Sequence, residues 1–285
     1  VNRKDDRSVH AFGALCLLVL TVALMYGLTL LVAALYAALH DLSMPAATGH
    51  VQRDLAWLTL IQLSAMGVSL LVGLRFFDPD TPLPEALSIA PVPPLALGLC
   101  LLAGVSLQFP LAELANSLHH YVFGPDPIEV QLALQNMMEA HSLGQGLLVV
   151  TCLAAIVPLT EELLFRGLFL FGLERRYGSG FALVLSSAFF GIMHVDAVAA
   201  VYATVAGLVL GSLALATRSV WPGIAVHAAL NAVPILLPER LLPIHGFNIP
   251  SALATHITPW LVWPPLAFGL GLLAMARRIE YATRT

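Results

Sequence analysis

Residues 11–39 read AFGALCLLVLTVALMYGLTLLVAALYAAL, without a single charged side chain. A helix crosses a bilayer with roughly 20 apolar residues, and this run is long enough to do so. It also exceeds the roughly 7–15 apolar residues of a signal-peptide core, and no convincing cleavage site follows it, so it reads as a retained span. The pattern repeats along the chain. Of 285 residues, 59% are hydrophobic and 11% charged, against about 45–50% apolar and 25% charged in soluble domains. Mean hydropathy is +0.86. Reading apolar runs against their charged or Pro-rich boundaries gives eight candidate spans, near 11–39, 55–77, 94–112, 143–174, 179–195, 197–217, 219–237 and 259–277. The expected fold is all-α, a polytopic membrane bundle of about eight transmembrane helices. A tail (1–10) precedes a single transmembrane domain (11–285), since no internal repeat or low-complexity linker divides the chain.

Positive charge flanking spans is retained in the cytoplasm. With the N-terminus inside, Arg3, Lys4, Arg7, Arg75, Arg175, Arg176, Arg218, Arg277, Arg278 and Arg284 fall on the cytoplasmic side, and Arg53 and Arg240 fall opposite. This asymmetry predicts eight spans with both termini in the cytoplasm. Val1 and the compact loops suggest a bacterial chain, and so a bacterial cytoplasmic membrane. The lipid bilayer is then the first partner. A net charge of −4 with no basic block gives no reason to expect nucleic acid, and oligomeric state is not legible. Cys16, Cys100 and Cys152 are isolated in apolar runs, without metal-knuckle or disulfide spacing, and read as packing residues.

Two local readings are finer. His194-Val195-Asp196 alone interrupts the run from Gly180 to Thr217, which predicts two helices and a tight turn. Asp126-Pro127-Ile128-Glu129 has the order of an Asp N-cap, a Pro at the first helical position and a capping-box Glu. The helix it would start is either interfacial and amphipathic or an ordered loop helix.

A charged side chain at the bilayer centre costs at least about 2.5–3.5 kcal/mol on insertion scales, so interior ionisable groups carry the functional signal. Of 17 acidic residues only Glu161 and Glu162 lie well inside an apolar run, and of ten histidines only His194 and His227 lie within spans. Arg166 and Asn231 complete the set. Glu162 and Arg166, four apart, share a helix face and form a pair. Glu161, about 100° round the helix, lacks that partner. A carboxylate out of water with no cation beside it takes a proton more readily, which makes Glu161 the better general-base candidate. His227 and Asn231, again four apart, offer an imidazole and a carboxamide to a developing oxyanion. Phe190 and His194 repeat the spacing, placing a ring beside the second histidine to pack either a substrate side chain or the bundle.

Taken in order, Glu161-Glu162-x-x-x-Arg166-Gly167, Phe190-x-x-x-His194, Gly207-x-x-x-Gly211, and Arg218-Ser219-Val220-Trp221-Pro222 leading to His227-x-x-x-Asn231 resemble the CPBP family. These are the CAAX-protease and bacteriocin-processing intramembrane proteins, also called Abi. The motifs lie within residues 145–235. The resemblance implies an eight-helix bundle with a catalytic chamber that opens laterally and towards the cytoplasm. In it, Glu161 and His194 would hold and deprotonate water, His227 and Asn231 would stabilise the oxyanion, and Glu162 and Arg166 would support the chamber. A membrane-associated peptide or protein would be the substrate. The resemblance implies no cofactor in the glutamate version. The family has also been labelled metalloprotease, and Glu161, His194 and His227 are alternative Zn²⁺ ligands. The metal-free version is favoured because Arg166 competes for Glu162 and there is no His-x-x-x-His clasp.

Other intramembrane protease designs are mostly excluded by sequence. His-Glu-x-x-His is absent, Asp196 has no second interior Asp, and Ser179 has no paired His. A rival of another class is a non-proteolytic scaffold or immunity protein of the same fold. A transporter would be expected to show broken helices in repeated halves, which are not seen.

Overall fold

All eight predicted spans are helices. The structure, a computed structural model, describes residues 9–284. Of the expected N-terminal tail, residues 1–8 lie outside the described residues, as do the charges counted at Arg3, Lys4 and Arg7. In chain order the helices are α1 (Ala11–His40), α2 (Met44–Val51), α3 (Leu55–Phe77), α4 (Leu83–Ala86), α5 (Pro94–Phe123) and α6 (Ile128–Met138). They continue as α7 (Leu143–Tyr177), α8 (Ser179–Ile192), α9 (Ala197–Thr217), α10 (Trp221–Leu236) and α11 (Pro259–Arg284). Among the described residues six are long and apolar enough to cross a membrane, whereas Ser179–Ile192 and Trp221–Leu236 are shorter apolar helices. No strand occurs among the described residues.

Large apolar side chains, among them Leu31, Leu71, Leu95 and Phe268, are exposed on the outside of the bundle. In water such a surface would drive aggregation, whereas hydrocarbon solvates it. The chain is an integral membrane protein. Its interior helices meet through small and hydroxyl-bearing residues, as expected where lipid removes the hydrophobic drive between helices. The Thr21 and Ser69 hydroxyls, for example, join α1 to α3 at 2.8 Å.

Polar links fix the two ends of the bundle. At one end Arg175 pairs with Asp78 at 2.8 Å, Arg218 pairs with Glu174, and the Val220 N–H donates to the Ser88 carbonyl at 3.1 Å. At the other end α6 is tied to the loop after α10. There the Gln131 side chain exchanges hydrogen bonds with the Ser251 backbone at 2.9 and 3.0 Å. None of the residues of α6 is buried.

The expected cap of α6 is displaced by one residue. Pro127 stays extended, with ψ 138°, and is itself the N-cap, with no side-chain capping bond. The proline expected to be the first helical residue thus precedes the helix. Asp126 faces the His119 ring at 3.6 Å instead. The turn between α8 and α9 falls where the sequence places it. Val195 takes a positive φ of 52°, and the Asp196 carboxylate accepts from the Ala199 N–H at 2.8 Å, capping α9.

The decisive element is α7. It has 35 residues, roughly 50 Å at about 1.5 Å per residue, against a hydrocarbon thickness of roughly 30 Å. Its backbone is π-helical over Val150–Ile156 and again over Leu163–Leu170, with a short α segment, Val157–Glu162, between them. Such bulges concentrate at functional sites. Here Pro158 supplies a local reason for the first of them, since it has no N–H to give and its ring crowds the preceding turn.

Candidate active site

Glu161 and Glu162 sit at the end of the α segment of α7, where they leave the helix in two directions. Glu162 turns into the protein. Its Oε1 accepts from Arg166 Nη1 at 2.8 Å and lies 3.0 Å from His227 Nδ1. Glu162 is 0% and Arg166 1% exposed. A buried ion pair is tolerable only when its geometry is good and its remaining groups are cared for; here Glu162 Oε2 and Arg166 Nη2 are buried without a hydrogen-bond partner. The guanidinium here also lies over the Phe190 ring, 4.2 Å from its centroid, a favourable cation–π placement. The pairing that helical spacing predicts is therefore present, with His227 added to it.

Space for this cluster comes from glycine. A Cβ on Gly223 would stand 2.8 Å from Glu162 Oε2, and one on Gly207 would stand 3.2 Å from Arg166 Nη2. Thus Gly207, in the small-residue motif of α9, and Gly223, in the first turn of α10, let these helices close on the ion pair.

Glu161 turns the other way, towards a small cavity of about 80 Å³ that is also lined by Phe190, His194, His227 and Asn231. Residues from α7, from α8 with the turn after it, and from α10 therefore reach one chamber. Glu161 Oε1 accepts from Gln62 Nε2 at 3.0 Å. Its Oε2 is buried, has no hydrogen-bond partner, and lies 3.7 Å from His227 Nε2.

The histidine tautomers follow from their partners. His194 Nδ1 lies 2.9 Å from the Phe190 carbonyl oxygen. A carbonyl only accepts, so Nδ1 carries the proton and Nε2 of the neutral ring keeps a lone pair. His227 Nδ1 likewise donates to the Glu162 carboxylate, leaving Nε2 on the Glu161 side. His194 sits in the turn just past α8 rather than inside the helix, and is half-buried. Phe190 meets both imidazoles edge-on, with centroids 5.0 Å from His194 and 5.7 Å from His227.

Asn231 has a second attachment. Its Nδ2 donates to the Leu153 carbonyl at 2.9 Å. In α7 the Val157 N–H reaches back to Cys152, and the next residue, Pro158, has no N–H. The Leu153 carbonyl thus finds no backbone donor at either the α or the π spacing, and Asn231 supplies one. One N–H of the amide remains for other work.

Among the described residues, no three His, Cys, Asp or Glu side chains gather closely enough to hold a metal ion. Glu161, His194 and His227 line the same cavity without closing into such a group, while Gln62 binds Glu161 and Glu162 binds His227.

Gln62 is the contributor that a search for interior ionisable residues passes over. The signal was present, since a carboxamide in the apolar run Leu55–Phe77 is nearly as anomalous as a charge.

The residues that build this chamber, Gln62 apart, lie in a segment that matches a known family. Residues 143–233 match a family model described as Rce1-like, "Type II CAAX prenyl endopeptidase Rce1-like". This match falls on the segment whose motifs resemble the CPBP family. The chain is also similar to the "Putative membrane peptidase YdiL" of Bacillus subtilis (strain 168), with 26% identity over 156 residues, covering 53% of this chain and 61% of that relative. No solved structure matches the chain. The segment matched by the family model runs from the start of α7 into the last turns of α10. It therefore includes both glutamates, both histidines and Asn231 but not Gln62, which reaches the site from the other half of the chain.

Proposed function

We propose that this protein is an intramembrane endopeptidase that hydrolyses a peptide bond of a membrane-associated peptide or protein substrate, using water activated by Glu161 and His194. The observation that carries the reading is Glu161 Oε2, a buried carboxylate oxygen without a partner that faces a chamber shared with two histidines and a carboxamide. Leaving such an oxygen unpaired inside a membrane is costly, and its use as a proton acceptor accounts for the cost.

In the proposed reaction, water bound between Glu161 Oε2 and the lone pair of His194 Nε2 attacks the carbonyl carbon of the scissile bond. Glu161 takes one proton as the new C–O bond forms. The carbonyl oxygen becomes an oxyanion, which the free N–H of Asn231 and a protonated His227 Nε2 stabilise. When the tetrahedral intermediate collapses, the C–N bond breaks and Glu161 returns the proton to the leaving amine. Glu162 and Arg166 hold the His227 ring in place through Nδ1. No cofactor enters this scheme.

The test is made in proteoliposomes. Wild-type protein and Glu161→Gln, nearly isosteric, are each incubated with membrane peptides from cells lacking the gene, and new termini are identified by mass spectrometry. Termini produced by the wild type and absent with Glu161→Gln are expected. Identical peptide sets from two equally abundant, folded proteins would favour the scaffold reading.

A further inference from the structure

We infer that Gln62 is a positioning residue for the proposed water-activating carboxylate. It acts from outside the family segment by fixing which oxygen of Glu161 faces the chamber. The inference rests on the endopeptidase reading above and adds to it a residue on α3 that none of the motifs contains.

The argument begins with the two oxygens of one carboxylate. Glu161 Oε1 accepts from Gln62 Nε2 at 3.0 Å, while Oε2 is buried without a partner. A carboxylate is symmetric about its Cγ–Cδ bond and turns freely unless one oxygen is held. Gln62 holds it, because a charge-assisted hydrogen bond in a low-dielectric interior is stronger than a neutral one. The partner must also be a donor with no charge of its own. A lysine or arginine at this place would neutralise Glu161 as Arg166 neutralises Glu162, and would suppress its basicity. An amide orients the group without bringing a charge of its own.

Gln62 is itself held. Its Nε2 lies 3.9 Å from the Met66 sulfur one turn along α3, and Met66 belongs to the buried core around Leu164 and Phe165 of α7. The bond spans 99 residues of sequence and joins the half of the chain without motifs to the half that bears them. Helix α3 therefore does more than fill the bundle.

The test compares wild type with Gln62→Met, which keeps length and shape but cannot donate, and with Gln62→His, whose ring N–H lies about as far along the side chain. Gln62→Met is expected to lower kcat roughly ten- to a hundredfold, the range for losing a hydrogen bond to a charged group, with KM within about threefold. Gln62→His should recover at least part of that loss. A readout independent of turnover is the infrared carboxylate band of Glu161, identified as the band missing in Glu161→Gln, which should shift in Gln62→Met and move back in Gln62→His. A folded Gln62→Met with unchanged kcat and an unmoved band would overturn the inference. A shifted band in a protein whose wild type hydrolyses nothing would instead sink the endopeptidase reading, leaving the Gln62–Glu161 coupling standing.

Discussion

The Asn231 side chain donates to the Leu153 carbonyl at 2.9 Å, across 78 residues of sequence, and thereby closes a gap that Pro158 opens in α7. The same amide is thus both a chamber group and a fastener of the helix that carries the glutamates. Loss of one oxyanion donor costs about 10²–10³ in rate, so Asn231→Ala should retain slow activity. It should also destabilise the protein by about 1–3 kcal/mol, the cost of an unpaired interior acceptor. Pro158→Ala restores a backbone N–H, and in that background the stability cost of Asn231→Ala should shrink. Unfolding in detergent of the four proteins measures this, and equal costs in both backgrounds would disprove the link.

Removing Arg166 should hurt more than removing the pair. Arg166→Leu leaves Glu162 buried opposite only the His227 ring, and breaking one side of a buried pair costs about 3–5 kcal/mol. The double substitution Arg166→Leu with Glu162→Leu should recover much of that stability without recovering activity, because His227 then loses the carboxylate that orients it. Thermal unfolding of both variants checks the order, and a double variant less stable than the single one would contradict it.

Glycine 223 offers a steric test. A methyl group there would meet Glu162 Oε2 at 2.8 Å, forcing the carboxylate off Arg166 or α10 away from α7. Gly223→Ala should lower both activity and melting temperature. Gly98→Ala on α5, with nothing within 4 Å of the added carbon, should change neither. Similar behaviour of the two alanine variants would show that the close approach has no energetic weight.

Much of this was legible in the sequence, for a physical reason. A bilayer forbids interior charge so strongly that Glu161, Glu162, Arg166, His194 and His227 stand out against an apolar background, and helical spacing alone pairs Glu162 with Arg166. The Glu162–His227 contact, at 65 residues' separation, could not be read because nothing local encodes which helices adjoin. The π segments were not read because a proline in an apolar run does not by itself say whether the helix around it kinks or widens. Gln62 escaped because a neutral amide falls outside a count of charges. The cap of α6 slipped because Pro127 is compatible with both the extended and the first helical position, and the sequence order does not choose between them.

Topology rests on the distribution of arginine and lysine. We expect both termini in the cytoplasm, with residues 45, 122 and 245 on the opposite face. In the structure these positions lie in α2, at the end of α5 and in the loop before α11. Single cysteines at these sites, in a background without Cys16, Cys100 and Cys152, should react with an impermeant maleimide from outside intact cells. Labelling only after the cytoplasmic face is opened would reverse the orientation.

The glutamate and zinc versions of the reaction differ in how they fail. If Glu161 accepts the proton of the attacking water, Glu161→Gln removes essentially all turnover, because the amide keeps the shape but cannot take that proton. If Glu161, His194 and His227 instead held Zn²⁺, each substitution would act through metal affinity, and activity lost to a strong chelator would return with added zinc. The two predictions separate most clearly at His194. Its Nδ1 is bound to the Phe190 carbonyl at 2.9 Å, so only Nε2 is left to meet either water or metal. His194→Gln retains a hydrogen-bonding group but is a poor zinc ligand. The glutamate mechanism therefore expects a slow, chelator-insensitive enzyme from His194→Gln, whereas the zinc mechanism expects one that is inactive unless metal is in excess. We expect purified protein to hydrolyse its substrate after prolonged chelation and to contain no stoichiometric metal. One tightly held zinc per chain by elemental analysis, with activity that tracks it, would refute the glutamate mechanism and recast the same side chains as ligands.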